Sequence, residues 1–241
     1  MLITIQIELK ALQARPLEAA ERSWYELRFF RLVKGYGIIY SMFKAVIFDY
    51  GGVIAKGGVA GSVERNLARV LSISQDDARK LLEYNLASFV RGQIDTSLFW
   101  KNIETDYGLA IPDESRAIWY EWKDASPLPE MISFRDVLRD SGITTGVLSN
   151  TEPVVGDFLR DHGAYAGFDE VVLSYEVGFA KPDKEIYHTM IDKLKLEPGE
   201  VIFIDDQPRM LLPAQEIGMH TVHATSSSQI MEEVFQALGR T

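Results

Sequence analysis

Apolar runs of strand length recur through this chain from residue 44 onward. They are AVIFDY (45–50), TTGVLSN (144–150), EVVLSY (170–175) and VIFIDD (201–206), with MHTVHA (219–224) as a weaker fifth. Amphipathic stretches separate them, among them DKEIYHTMIDKLK, RMLLPAQEIG and SQIMEEVFQALG. Apolar strands alternating with helices predict a parallel sheet covered by helices on both faces. In that architecture ligands bind beyond the carboxyl ends of the strands.

One interval breaks the alternation. Between Ile54 and Thr144 the pattern is helical, in GSVERNLARVLS, DDARKLLEYNLASFVRG, TSLFWKNIETDYG and DESRAIWYEWKDA. Ser74 and Asp95 are candidate N-caps, Pro112 stands near a helix start, and Gly92 and Gly108 are candidate stops. Four helices can bury their faces against one another. The expected fold class is thus α/β: a Rossmann-like parallel sheet core, residues 42–58 and 127–241, with an inserted α-helical cap, residues 59–126. The helix in PEMISFRDVLRDSG is assigned to the core.

Residues 1–41 differ in character. They hold six Lys and Arg against four Glu, a balance of +2, whereas the whole chain carries a net charge of −10. The apolar core of a signal peptide is lacking. The segment reads either as an extension with a strand and a helix or, the preferred expectation, as a stretch from an upstream start that the fold does not require.

Composition narrows the function. A net charge of −10 disfavours nucleic acid and anionic membranes, which need a basic face. Cysteine is absent, so disulfides, thiolate metal sites and a cysteine nucleophile are excluded. His220 and His223 lie three apart on a strand, where odd spacing sends them to opposite faces, away from a shared metal. No run has the roughly 18 apolar residues of a membrane span, and a cytoplasmic location is expected.

Polar residues fall where this architecture places a site. Asp49 follows VIF, Ser149-Asn150 follows TGVL, Asp205-Asp206 follows VIFI, and Lys181-Pro182 follows the loop after VVLSY. Clustered carboxylates hold each other's protons unless a cation intervenes, which implies an oxygen-seeking metal, magnesium above all. Ser149 and Lys181 would then hold phosphoryl oxygens. Each residue also has a plainer reading: Asp49 as a turn acid, Ser149-Asn150 as a turn, Lys181 as a solvated charge, and Asp205-Asp206 as a helix N-terminus. Trp119, Tyr120 and Trp122 read first as cap packing and second as a pocket lining.

Taken in order, FDYGGV, LSNT, KPD and FIDDQ, with a helical insert after the first, resemble the haloacid dehalogenase superfamily of phosphohydrolases over about Lys44 to Ala237. The resemblance implies that Asp49 is a nucleophile forming an aspartyl-phosphate. It implies magnesium held by Asp49, the main-chain carbonyl of Gly51 and Asp206, with Asp205 beside it. Ser149, the Asn150 amide and Lys181 would bind the transferring group, and the cap would close over a small phosphorylated substrate.

Two positions depart from that pattern. Gly51 stands where most such phosphatases place a second aspartate, the acid that protonates the leaving oxygen. General acid catalysis is worth roughly a hundred to ten thousand fold, so a slow enzyme or an easy leaving group is expected, a sugar 1-phosphate or an acyl phosphate. Tyr50 should point away from Asp49 and cannot substitute. Met210 stands where asparagine often supports the metal carboxylates. The alternatives are dehalogenation through the same aspartate and a binding or regulatory protein with little turnover.

Overall fold

The computed structural model describes residues 42–56, 60–112 and 125–239. The N-terminal 41 residues lie outside this set, as do Trp119, Tyr120 and Trp122. The strands are β1 (Ala45–Phe48), β2 (Thr144–Ser149), β3 (Glu170–Leu173), β4 (Val201–Asp205) and β5 (His220–His223). They form one parallel sheet in the order β3-β2-β1-β4-β5. β1 is the central strand, with Phe48 level with Val147 on one side and Ile204 on the other.

Of the inserted helices, α1 (Ala60–Leu71), α2 (Gln75–Glu83), α3 (Leu86–Phe89) and α4 (Thr96–Tyr107) are described. The helix expected from Asp113 falls outside the described residues. Ser74 caps α2 through the Asp77 N–H, and Asp95 caps α4 through the Leu98 N–H. Gly108 closes α4 in the left-handed region. The run DDARKLLEYNLASFVRG forms two helices, not one, because Asn85 takes φ 58° between them. Asparagine tolerates this conformation better than most residues. A separate apolar cluster holds the insert together. Phe89 stacks on Phe99 at 4.5 Å, Phe99 meets Trp100 edge-on at 5.2 Å, and Leu67, Leu81 and Ile103 fill in around them.

The sheet is flanked by α5 (Pro129–Asp140), α6 (Pro153–Asp161), a one-turn α7 (Ser174–Val177), α8 (Lys184–Leu194), α9 (Pro208–Glu216) and α10 (Ser227–Ala237). Side chains alternate across β1 with period two. Val46 and Phe48 join Met131, Phe134 and Leu138 of α5 and Val234 and Phe235 of α10. Ala45 and Ile47 join Ile186, Tyr187 and Met190 of α8 and Leu211 of α9. Both faces of the strand are therefore dry, which explains why it reads as an uninterrupted apolar run.

The two crossings between sheet and insert lie side by side. Ala55 makes an antiparallel bridge with Pro127, and the Leu128 N–H donates to the Ile54 carbonyl at 2.8 Å. Tyr50 joins the cluster of Val46 and Phe48, on the face opposite Ile47. Its buried hydroxyl donates to the Ala125 carbonyl at 2.6 Å and its ring meets Tyr165 at 5.4 Å. Among the described residues, no helix is long and apolar enough to cross a membrane.

Candidate active site

β1 ends one residue before Asp49, whose N–H still donates to the Ile204 carbonyl of β4 at 2.8 Å. The backbone then closes a tight turn: the Ile54 and Ala55 N–H groups both donate to the Tyr50 carbonyl at 2.9 Å, and the Gly52 N–H donates to the Ala55 carbonyl. The glycine pair is thus a hydrogen-bonded corner, with Gly51 half-buried in a bridge to Ala55.

Gly52 is required there on two grounds. Its φ is +80°, and a Cβ would stand 2.4 Å from Asp206 Oδ2. The absent side chain is the space in which the Asp206 carboxylate rests.

Lys181 reaches the tips from the loop after α7. Its Nζ lies 2.9 Å from Asp49 Oδ1 and 2.6 Å from Asp205 Oδ2, and all three residues are buried. Asp205 Oδ1 accepts the Gln207 N–H at 2.8 Å, so both of its oxygens are engaged. Asp206 differs: its Oδ1 is buried and has no hydrogen-bond partner.

Carboxylate oxygens of Asp49, Asp205 and Asp206 lie within 4.8 Å of one another. Burial pushes the Asp49 pKa up to about 6, with Lys181 opposing and Asp205 adding to the rise. Burial and then Asp205 also raise Asp206. For Lys181, burial works against the charge, but Asp49 and Asp205 together hold the pKa above its ordinary value. Three acids facing one ammonium, with an orphaned oxygen among them, suit a hard divalent cation, because such ions take oxygen ligands.

Ser149 is buried at the last position of β2, the strand beside β1. Asn150 is placed next to it, but its side chain is committed elsewhere. The carboxamide donates to the Lys181 carbonyl and accepts the Lys181 N–H, each at 2.7 Å. It clasps the lysine's backbone. A parallel clasp follows: Ser174 Oγ accepts the Thr151 N–H at 3.0 Å and donates to the Thr151 carbonyl at 3.1 Å. Met210 is buried and its thioether offers Asp206 no N–H donor.

Sequence reasoning missed Ser174, Arg91 and Glu152. Arg91, after α3, donates through Nε and Nη2 to Asp183 Oδ2 at 3.2 and 2.7 Å, tying the insert to the loop that carries Lys181. Glu152 is the half-buried residue just before α6. Burial raises its pKa, opposed only by its own N–H, and its side chain makes no capping hydrogen bond. An acid immediately after the SNT motif was the available signal. His223 was read only as one of a pair placed away from a shared metal; its Nε2 lies 3.1 Å from the Asp206 carbonyl oxygen, while His220 packs against Phe43.

Comparison with known proteins places this arrangement. Mouse bifunctional epoxide hydrolase 2 is 26% identical over 217 residues, covering 81% of this chain but only 39% of its own length. The chain therefore spans well under half of that relative. The sesquiterpene phosphatase astK of Aspergillus oryzae is 25% identical over 198 residues, covering 82% of this chain and 97% of the relative. A HAD family enzyme from Bacteroides thetaiotaomicron, solved in complex with magnesium and inorganic phosphate, shares the fold with a TM-score of 0.64 at 22% identity. The match covers 76% of this chain and 96% of that structure. The model of the haloacid dehalogenase-like hydrolases matches residues 43–218, well over half of the 241. With its parallel sheet, its inserted helices and its acids at the tips of the two central strands, the chain belongs to the haloacid dehalogenase-like hydrolases.

Proposed function

We propose that the chain is a magnesium-dependent phosphohydrolase acting on a small phosphorylated metabolite through a phosphoryl ester on Asp49. The observation that carries this reading is the bridge of the Lys181 ammonium between Asp49 and Asp205, beside the unsatisfied oxygen of Asp206. Asp49, the Gly51 carbonyl and Asp206 would hold the ion, with Asp205 beside it. When bound, the ion offsets negative charge on the carboxylates and the transferring group.

Lys181 fixes Asp49 and has a third N–H for a phosphoryl oxygen. The Ser149 hydroxyl and the Asn150 main-chain N–H supply further donors. Asp49 attacks phosphorus, the bond to the leaving oxygen breaks, and water then hydrolyses the acyl phosphate to regenerate the carboxylate. The phosphatase and the magnesium–phosphate complex among the similar proteins favour phosphoryl transfer over halide removal. With Gly51 carrying no acid, this set suits a substrate whose leaving group departs readily, a sugar 1-phosphate or an acyl phosphate.

The test is hydrolysis of p-nitrophenyl phosphate with magnesium and with a chelator, in the wild type and in Asp49→Asn. Activity that needs the metal and vanishes in the variant is expected. Activity that survives in Asp49→Asn overturns the reading.

A further inference from the structure

We propose that the elbow at Arg91 and Gly92 latches the insert over the strand tips, and that Asp183 works the latch by switching between Arg91 and the N-terminus of α8. The kinetic consequence rests on the phosphohydrolase reading above; the switch of partners does not.

The elbow sits across the connection that carries Lys181. Gly92, at φ +64°, approaches the start of that connection so closely that a Cβ would stand 2.4 Å from the Tyr175 carbonyl oxygen of α7. Arg91 holds its far end, with Nε and Nη2 at 3.2 and 2.7 Å from Asp183 Oδ2. Lys181 lies between these two contacts in the chain. Within the insert the elbow is fixed, since the Gly92 N–H donates to the Phe89 carbonyl and the Gln93 N–H to the Ser88 carbonyl, both at 2.9 Å. It moves when the insert moves. The insert has an apolar cluster of its own and joins the sheet domain where Ala55 meets Pro127, so it can shift as a body. Val154 of α6 also packs against that cluster, but apolar contact is non-directional, so the ion pair sets where the elbow stops.

Asp183 has two uses open to it and takes one. It stands at the N-cap of α8 with φ −61° and ψ 134°, the extended setting of a capping residue, and aspartate is among the strongest caps. Yet its side chain makes no capping bond. The carboxylate is turned to Arg91 instead. Rotation of this one side chain would carry its charge from the guanidinium to the first N–H groups of α8, where the helix dipole also favours it. Arg91 keeps a partner as well: its Nη1 donates to the Ala87 carbonyl of α3 at 2.9 Å, inside the insert. The two side chains are 24% and 36% exposed, so water reaches both. Opening therefore strands no charge, as a contact that must break to exchange substrate and product requires.

A double-mutant cycle with two readouts tests this. In Arg91→Ala, KM for p-nitrophenyl phosphate should rise a few-fold at unchanged kcat, and Arg91→Lys should recover part of the loss. The Glu185 and Ile186 amides of α8 should exchange more slowly in Arg91→Ala, because Asp183 now caps them. Adding Asp183→Ala should leave KM where Arg91→Ala put it, since the latch is already gone. The same addition should speed those two amides and lower the melting temperature by about 2–4 °C. In the wild-type background Asp183→Ala should raise KM and lower the melting temperature less, because no cap is lost. Unchanged exchange at Glu185 and Ile186 in Arg91→Ala, or a further rise in KM on adding Asp183→Ala, overturns the latch. A wild type inactive on p-nitrophenyl phosphate overturns the phosphohydrolase reading instead, and amide exchange alone then decides the switch.

Discussion

Around Asp49 the polar contacts join segments far apart in sequence, Asn150 with Lys181, Thr151 with Ser174, and Lys181 with two acids, whereas the insert's interior is joined by rings, Phe89 on Phe99 and Phe99 on Trp100. Between the two regions a single described ion pair, Arg91 with Asp183, spans the gap. The difference teaches where each region is vulnerable. The strand tips fail through the loss of one charge or one hydrogen-bond partner, and the insert fails through the loss of volume.

The sharpest way to break the comparison is at the tips. Asp49→Asn should remove more than about 10⁴-fold of the phosphatase rate, as loss of a nucleophile does, with an unchanged melting temperature or a small rise from relief of acid repulsion. Steady-state assays beside a thermal melt check both. Trp100→Ala attacks the other region. Emptying a buried indole site costs about 3–5 kcal/mol, and hydrogen exchange should show it in α1, α2 and α4 while β1 and β4 stay protected.

Gly52→Ala comes next in size. Strain at φ +80° costs about 1–3 kcal/mol, and the Cβ displaces Asp206, so the magnesium needed for half-maximal activity should rise more than the melting temperature falls. Arg91→Ala is milder. The pair is partly exposed and worth at most about 1 kcal/mol, so KM should rise a few-fold while the melting temperature scarcely moves.

The smallest effect concerns pH. Asp49 is raised from 3.8 to about 6 by burial, so without metal its contribution favours the folded protein below about pH 4 and is lost as pH rises through 6. Asp206 shifts in the same direction. A divalent cation takes the place of these protons, so magnesium should raise the melting temperature at about pH 8 and hardly at all at about pH 4. Equal stabilisation at both would place the ion elsewhere.

The sheet was legible in the sequence because β1, β2 and β4 are buried on both faces and write themselves as apolar runs that end on Asp49, Ser149 and Asp205. The caps Ser74 and Asp95 were legible because capping is a three-residue signal. Partnerships were not. The Asn150 carboxamide serves a backbone 31 residues away, and no local periodicity encodes such a pair. Arg91 with Asp183, 92 residues apart, was hidden for the same reason. Asn85 was missed because its left-handed backbone interrupts a pattern that otherwise reads as one helix.

The neck made by Ala55, Pro127, Ile54 and Leu128 has an engineering corollary. Because the chain leaves and re-enters the sheet domain at adjacent points, the whole interval resembles a module plugged into a socket. Exchange of that interval for another chain's should leave the hydrolytic platform standing and retune its selectivity, much as changing a tool head leaves the handle untouched.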